Sequence, residues 1–129
     1  MPLKLFKPKE TQVKRETEAL TDLEKICSDD KEAYEALKHT MILDPRKVKA
    51  TLPEAMENAK KFEKDGEIVK ARWWYMVAGG LAIYEGDVSK VKQIYGKLGK
   101  LTPNASYPIL EVPERAVKKA EEYYKKFLK

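Results

Sequence analysis

The chain has 129 residues, enough for one domain whose core needs neither a metal nor disulfide staples, and its single cysteine, Cys27, excludes an internal disulfide. No apolar run is long enough to span a bilayer, and residues 1–8 are too short and too interrupted by proline for a signal peptide, so a cytoplasmic protein without a membrane partner is expected. A formal charge of +5 is spread over 36% charged residues, with lysine interleaved with glutamate rather than gathered into the single-sign face of a nucleic-acid binder.

In chain order, residues 1–9 carry two prolines among alternating apolar and basic side chains. They are expected to form a flexible arm whose Leu3, Leu5 and Phe6 can dock on the body or on a partner. Val13, Leu20, Leu23 and Ile26-Cys27 recur at helical spacing and predict a helix over residues 11–27, with Cys27 as a small buried hydrophobe. Asp29 and Glu32 have capping-box spacing and open a second helix, with Tyr34, Leu37 and Met41-Ile42 on one face, running to about Leu43. Asp44-Pro45 breaks it, because proline lacks the N–H and pushes the preceding residue out of the helical region. Residues 46–50 are then one helical turn or a loop.

Thr51 with Glu54 offers another capping box, and a third helix follows to Lys64 with Leu52, Ala55, Met56, Ala59 and Phe62 inward. Asp65-Gly66 closes it, the glycine taking the left-handed position that carries no Cβ penalty. The fourth helix, residues 67–84, is apolar almost all round and must be enclosed by neighbours. It carries Trp73-Trp74-Tyr75 and Gly79-Gly80. The glycine pair lies inside a helix, not between a strand and a helix, so it reads as a helix–helix contact rather than a phosphate loop.

Glu85-Gly86-Asp87 repeats the earlier turn, and a fifth helix starts near Val88 with Val91, Ile94, Tyr95, Leu98 and Leu101 inward. Gly96 and Gly99 inside it imply close approach of another backbone or, for Gly99, an early end. Residues 102–112 form a loop in which 109–112 is the only strand candidate. Pro113 opens the last helix, with Ala116, Val117, Ala120, Tyr123, Tyr124, Phe127 and Leu128 on its apolar side. The fold class is therefore all-α: one domain of five to six antiparallel helices, with residues 52–103 as a three-helix centre and 114–129 as a capping helix.

Residues 72–103 resemble a tetratricopeptide repeat, a helical hairpin of about 34 residues that stacks into arrays. The resemblance rests on Tyr75 and the small Gly79 in the first helix, the Gly86-Asp87 turn, Tyr95 in the second, and the closing Pro103. Ala78, Ala82, Val91 and Leu98 depart from the pattern. A second, overlapping register begins near Leu52, in which Ala59, Gly66, Ala71, Tyr75 and Ala78 fall on the small and aromatic positions. The fourth helix would then serve two hairpins. The mixed Lys and Glu composition resembles a thermophile's surface, and the chain looks like the small helical proteins of thermophilic archaea.

The resemblance implies a peptide groove along one face of each hairpin's first helix. On the fourth helix that face is Trp73, Met76, Gly80, Ile83 and Tyr84, with Trp74 about 100° round from Trp73. Aromatics at helical spacing are more often core, which is the favoured reading for Trp73 and Met76, and exposure decides between the two. An exposed tryptophan would be a contact hot spot, bringing a large apolar area at low entropic cost.

No catalytic constellation emerges. His39 stands alone, reads as a surface residue, and with Cys27 is too small a set for zinc. No cofactor and no metal are expected, and the chain reads as non-enzymatic. The expected role is an interaction module that binds a protein or peptide, or itself as a homo-oligomer, through aromatics near the fourth helix. The alternative is a nucleic-acid-associated accessory protein using Arg46, Lys47, Lys49, Arg72, Lys118, Lys119, Lys125 and Lys126, with Arg72 beside the tryptophans combining charge and stacking.

Overall fold

The computed structural model describes residues 20–128. Six α-helices are present among them: α1 over residues 20–26, α2 Lys31–Lys38, α3 Leu52–Lys64, α4 Ile68–Glu85, α5 Val88–Leu101 and α6 Pro113–Phe127. Two short 3₁₀ turns, Pro45–Lys47 and Pro108–Leu110, complete the order, and no strand occurs among the described residues. The expected arm at residues 1–9 and most of the helix expected over 11–27 lie outside them.

The centre is α3–α4–α5, two hairpins sharing α4. Both turns end a helix in the same way. The Gly66 and Gly86 N–H groups bond to the carbonyls of Glu63 and Ile83, and the next N–H groups, of Glu67 and Asp87, reach back to Phe62 and Ala82. This pattern satisfies otherwise orphaned carbonyls and needs a left-handed residue. Gly66 and Gly86 supply it at φ +79° and +74°. The following helices start at once, so each hairpin is antiparallel. Ala55 and Ala59 of α3, like Ala71, Ala78 and Ala82 of α4, are fully buried. α3 and α5 both pack on α4, and their backbones stay apart from each other.

α6 closes the assembly by packing on α2, α4 and α5, while the Pro108–Leu110 turn packs against α2, α5 and α6. Ion pairs tie α6 to the turn between α1 and α2: Arg115 to Asp30 and Glu32, and Lys119 to Asp29. Cys27 is buried there, and that burial pushes its thiol up to about 11, which keeps it protonated and unreactive.

Several boundaries differ from the sequence reading. The cap of α2 is Asp30, whose carboxylate accepts from the Ala33 N–H at 3.1 Å, and not the Asp29–Glu32 box. Asp29 and Glu32 are instead engaged by α6. Helix α2 also stops at Lys38, well short of Leu43. The Thr40 hydroxyl bonds back to the Ala36 carbonyl at 2.7 Å, a habit of helix ends. The carbonyls of Thr40 and Ile42 accept from the hydroxyls of Tyr95 and Tyr124 rather than from helical N–H groups. Nothing approaches Gly96 or Gly99 closely, and α5 continues through both to Leu101. The strand candidate at 109–112 is partly the second 3₁₀ turn.

Candidate functional site

α4 is not enclosed along its whole length. Among its large apolar side chains, Val69 is 72% exposed, Trp73 57% and Met76 49%. Their spacing of four and three residues places them in one line on the helix. Gly80 continues that line one turn further, and there the face is covered: a Cβ on Gly80 would clash with the Ile42 side chain. Ile42 is held in place by Tyr124, whose hydroxyl donates to the Ile42 carbonyl. The loop carrying Ile42 thus closes one end of the stripe and leaves the rest open.

The six residues expected to form a binding face are therefore divided. Trp73 and Met76 are open. Trp74 is half-buried and meets Trp73 edge-on with ring centroids 4.9 Å apart. Tyr84 is 38% exposed and stacks edge-on against Tyr124. Gly80 and Ile83 are buried and belong to the core. Val69, which the sequence reading passed over, extends the open stripe, and its spacing to Trp73 was the available signal.

Several cations of the alternative reading are already engaged within the chain. Arg46 is paired with Asp44 at 2.8 Å, Lys119 with Asp29 and Glu122, and Lys125 with Glu121. Lys126 lies over the Phe127 ring, Lys47 and Lys49 are exposed beside the first 3₁₀ turn, and Lys118 is exposed on α6. Arg72 is half-buried beside the tryptophans. Among the described residues, no group of three or more His, Cys, Asp or Glu side chains is placed to hold a metal ion, and no helix is long and apolar enough to cross a membrane.

A second open feature has no counterpart in the sequence reading. Because α3 and α5 stay apart, a cleft of about 600 Å³ separates them, with Met56, Lys60 and Glu63 on one wall and α5 from Lys92 to Lys100 on the other. Tyr75 of α4 forms part of the floor. Its hydroxyl donates to Glu63 Oε1 at 2.7 Å, and Lys97 reaches the other carboxylate oxygen at 2.9 Å. The Tyr75 bond, then Lys97, hold the Glu63 carboxyl below its ordinary value of 4.5. Burial, reinforced by Glu63, raises the Tyr75 hydroxyl and keeps it a donor. Gln93, Gly96, Lys97 and Lys100 share one face of α5, a spacing legible only once that face is known to look into a cleft. No protein-family model matches the chain, and neither a curated protein nor a solved structure matches it.

Proposed function

We propose that the protein is a non-enzymatic, cytoplasmic interaction module that docks a protein partner on the open stripe of α4. The observation that carries this reading is the exposure of Val69, Trp73 and Met76 in one line on the longest of the described helices. Three large apolar groups side by side favour a contact that removes them from water, and tryptophan and methionine are enriched at the centres of such contacts. The stripe is self-complementary in kind, so a second copy of this chain supplies a fitting apolar helix face through a two-fold contact.

The reading includes a tetratricopeptide-like arrangement of α3, α4 and α5. Two consecutive hairpins sharing a helix, closed by the same glycine turn, support it, as do Ala59, Tyr75 and Gly79 buried at the helix contacts. The nucleic-acid alternative is weakened by the carboxylates that already neutralise Arg46, Lys119 and Lys125.

Sedimentation across a concentration series tests the proposal. The wild-type chain is expected to shift toward dimer as concentration rises, and a Trp73→Ser, Met76→Ser variant to stay monomeric. A wild-type chain that remains monomeric throughout, with Trp73 freely quenched by acrylamide, overturns self-association through this surface.

A further inference from the structure

The α3–α5 cleft differs from the α4 stripe in every chemical respect. Four lysines surround it: Lys60, Lys92, Lys97 and Lys100. Lys97 is paired with Glu63, and Lys92 with Glu114 at 3.0 Å. Lys60 and Lys100 make no ion pair among the described residues and stand on opposite walls. Four positive charges against two carboxylates leave the cleft with a net excess of two. Between the charges the lining is apolar, with Met56 on one wall, Ile94 on the other and Tyr75 on the floor.

Gly96 gives the cleft its width. A Cβ built there would meet no atom within 4 Å, so the glycine does not serve packing, although it costs α5 about 0.5–1 kcal/mol relative to alanine. A methyl group at this position would meet no neighbour, and a larger side chain is expected to project into the cleft that Gly96 lines.

We propose that this cleft binds a short extended acidic segment of a partner protein, with carboxylates on the lysine rims and an apolar side chain between them on the floor. The proposal rests on the interaction-module reading but uses a different surface. Charge complementarity sets the sign of the occupant. Length sets its size: from Lys92 to Lys100 the wall runs about 12 Å, which about four extended residues span. The cleft volume falls within the range of formed ligand sites. A nucleic-acid strand suits it less well. All four cations are lysines, point charges without the planar fork that stacks on bases.

The test is a titration of a fluorescent peptide alternating glutamate and leucine, run beside an oligothymidylate of equal charge. Four proteins are compared: wild type, Lys60→Glu with Lys100→Glu, Gly96→Leu, and Trp73→Ser. The wild type is expected to bind the peptide at low salt, less tightly as salt rises. The double charge reversal is expected to weaken binding by about tenfold or more. Gly96→Leu should abolish binding with an undiminished melting temperature, and Trp73→Ser should bind as wild type does. Undetectable peptide binding at low salt, or equal binding by the Lys and Gly96 variants, overturns the proposal. Tighter binding of the oligothymidylate overturns it in favour of a nucleic-acid cleft. Loss of binding in Trp73→Ser alone would place the peptide on the α4 stripe instead. The sedimentation result stands apart, because Lys60, Lys100 and Gly96 take no part in the stripe.

Discussion

In the C-terminal half of α4, Gly79 and Gly80 let Tyr95 and Ile42 press onto the helix, whereas in the N-terminal half Val69, Trp73 and Met76 meet water. The two halves are similarly apolar in sequence. What separates them is side-chain size and the presence of a neighbour. A glycine on a helix face is a recess that another side chain must fill, while a large apolar residue with nothing opposite is a surface awaiting a partner. Apolarity all round a helix therefore does not establish that it is enclosed all round.

The comparison breaks most sharply at Gly79. Its added Cβ would lie 2.6 Å from the Tyr95 ring, and Tyr95 is itself fully buried. Gly79→Leu is expected to lower stability by about 3 kcal/mol through overpacking, read as a large drop in melting temperature. A melting temperature equal to wild type would remove the idea that this half of α4 is closed. Gly96 sharpens the same point from the other side. With open space around it, Gly96→Ala should raise stability by about 0.5–1 kcal/mol in denaturant unfolding, because only the glycine's backbone entropy is removed.

At the open half, Trp73→Ser should change stability by no more than about 0.5 kcal/mol while altering association. A larger loss in chemical denaturation would mean that the indole contributes to the core. The two halves should also differ in acid. Glu63 has its carboxyl depressed by Tyr75 and Lys97, so its stabilising contribution is complete above its ordinary value and is lost as pH falls through the lower folded value. Melting curves of wild type and Glu63→Gln from about pH 6 to about pH 3 should converge as pH falls. A gap between them that stays constant would show that the charge on Glu63 is not what holds the junction.

Local chemistry was legible in the sequence and long-range chemistry was not. The turns at Gly66 and Gly86, the Thr51 cap, the extents of α3 and α4 and the start of α5 follow from caps, glycines and periodicity within a few residues, and they stand within a residue of where the pattern placed them. The end of α2 depends on Tyr95 and Tyr124, far along the chain, claiming carbonyls of Thr40 and Ile42. The candidate site divides in the same way. Trp73 and Met76 could be named from their helical face, but the covering of Gly80 by Ile42 could not. Nor could the placing of Lys60 and Lys100 on opposite walls of one cleft, because it requires two helices to flank a third with their backbones apart.

The ties between α6 and the α1–α2 turn bear on how the chain acquires its shape during synthesis. Arg115 and Lys119 hold Asp30, Glu32 and Asp29 across 83 to 90 residues of sequence, and Tyr124 reaches Ile42 over a similar span. The hairpins of α3–α5 can form while the ribosome is still translating, since their contacts are near neighbours in sequence. Helices α1 and α2 must wait, their apolar sides exposed, until α6 has been made.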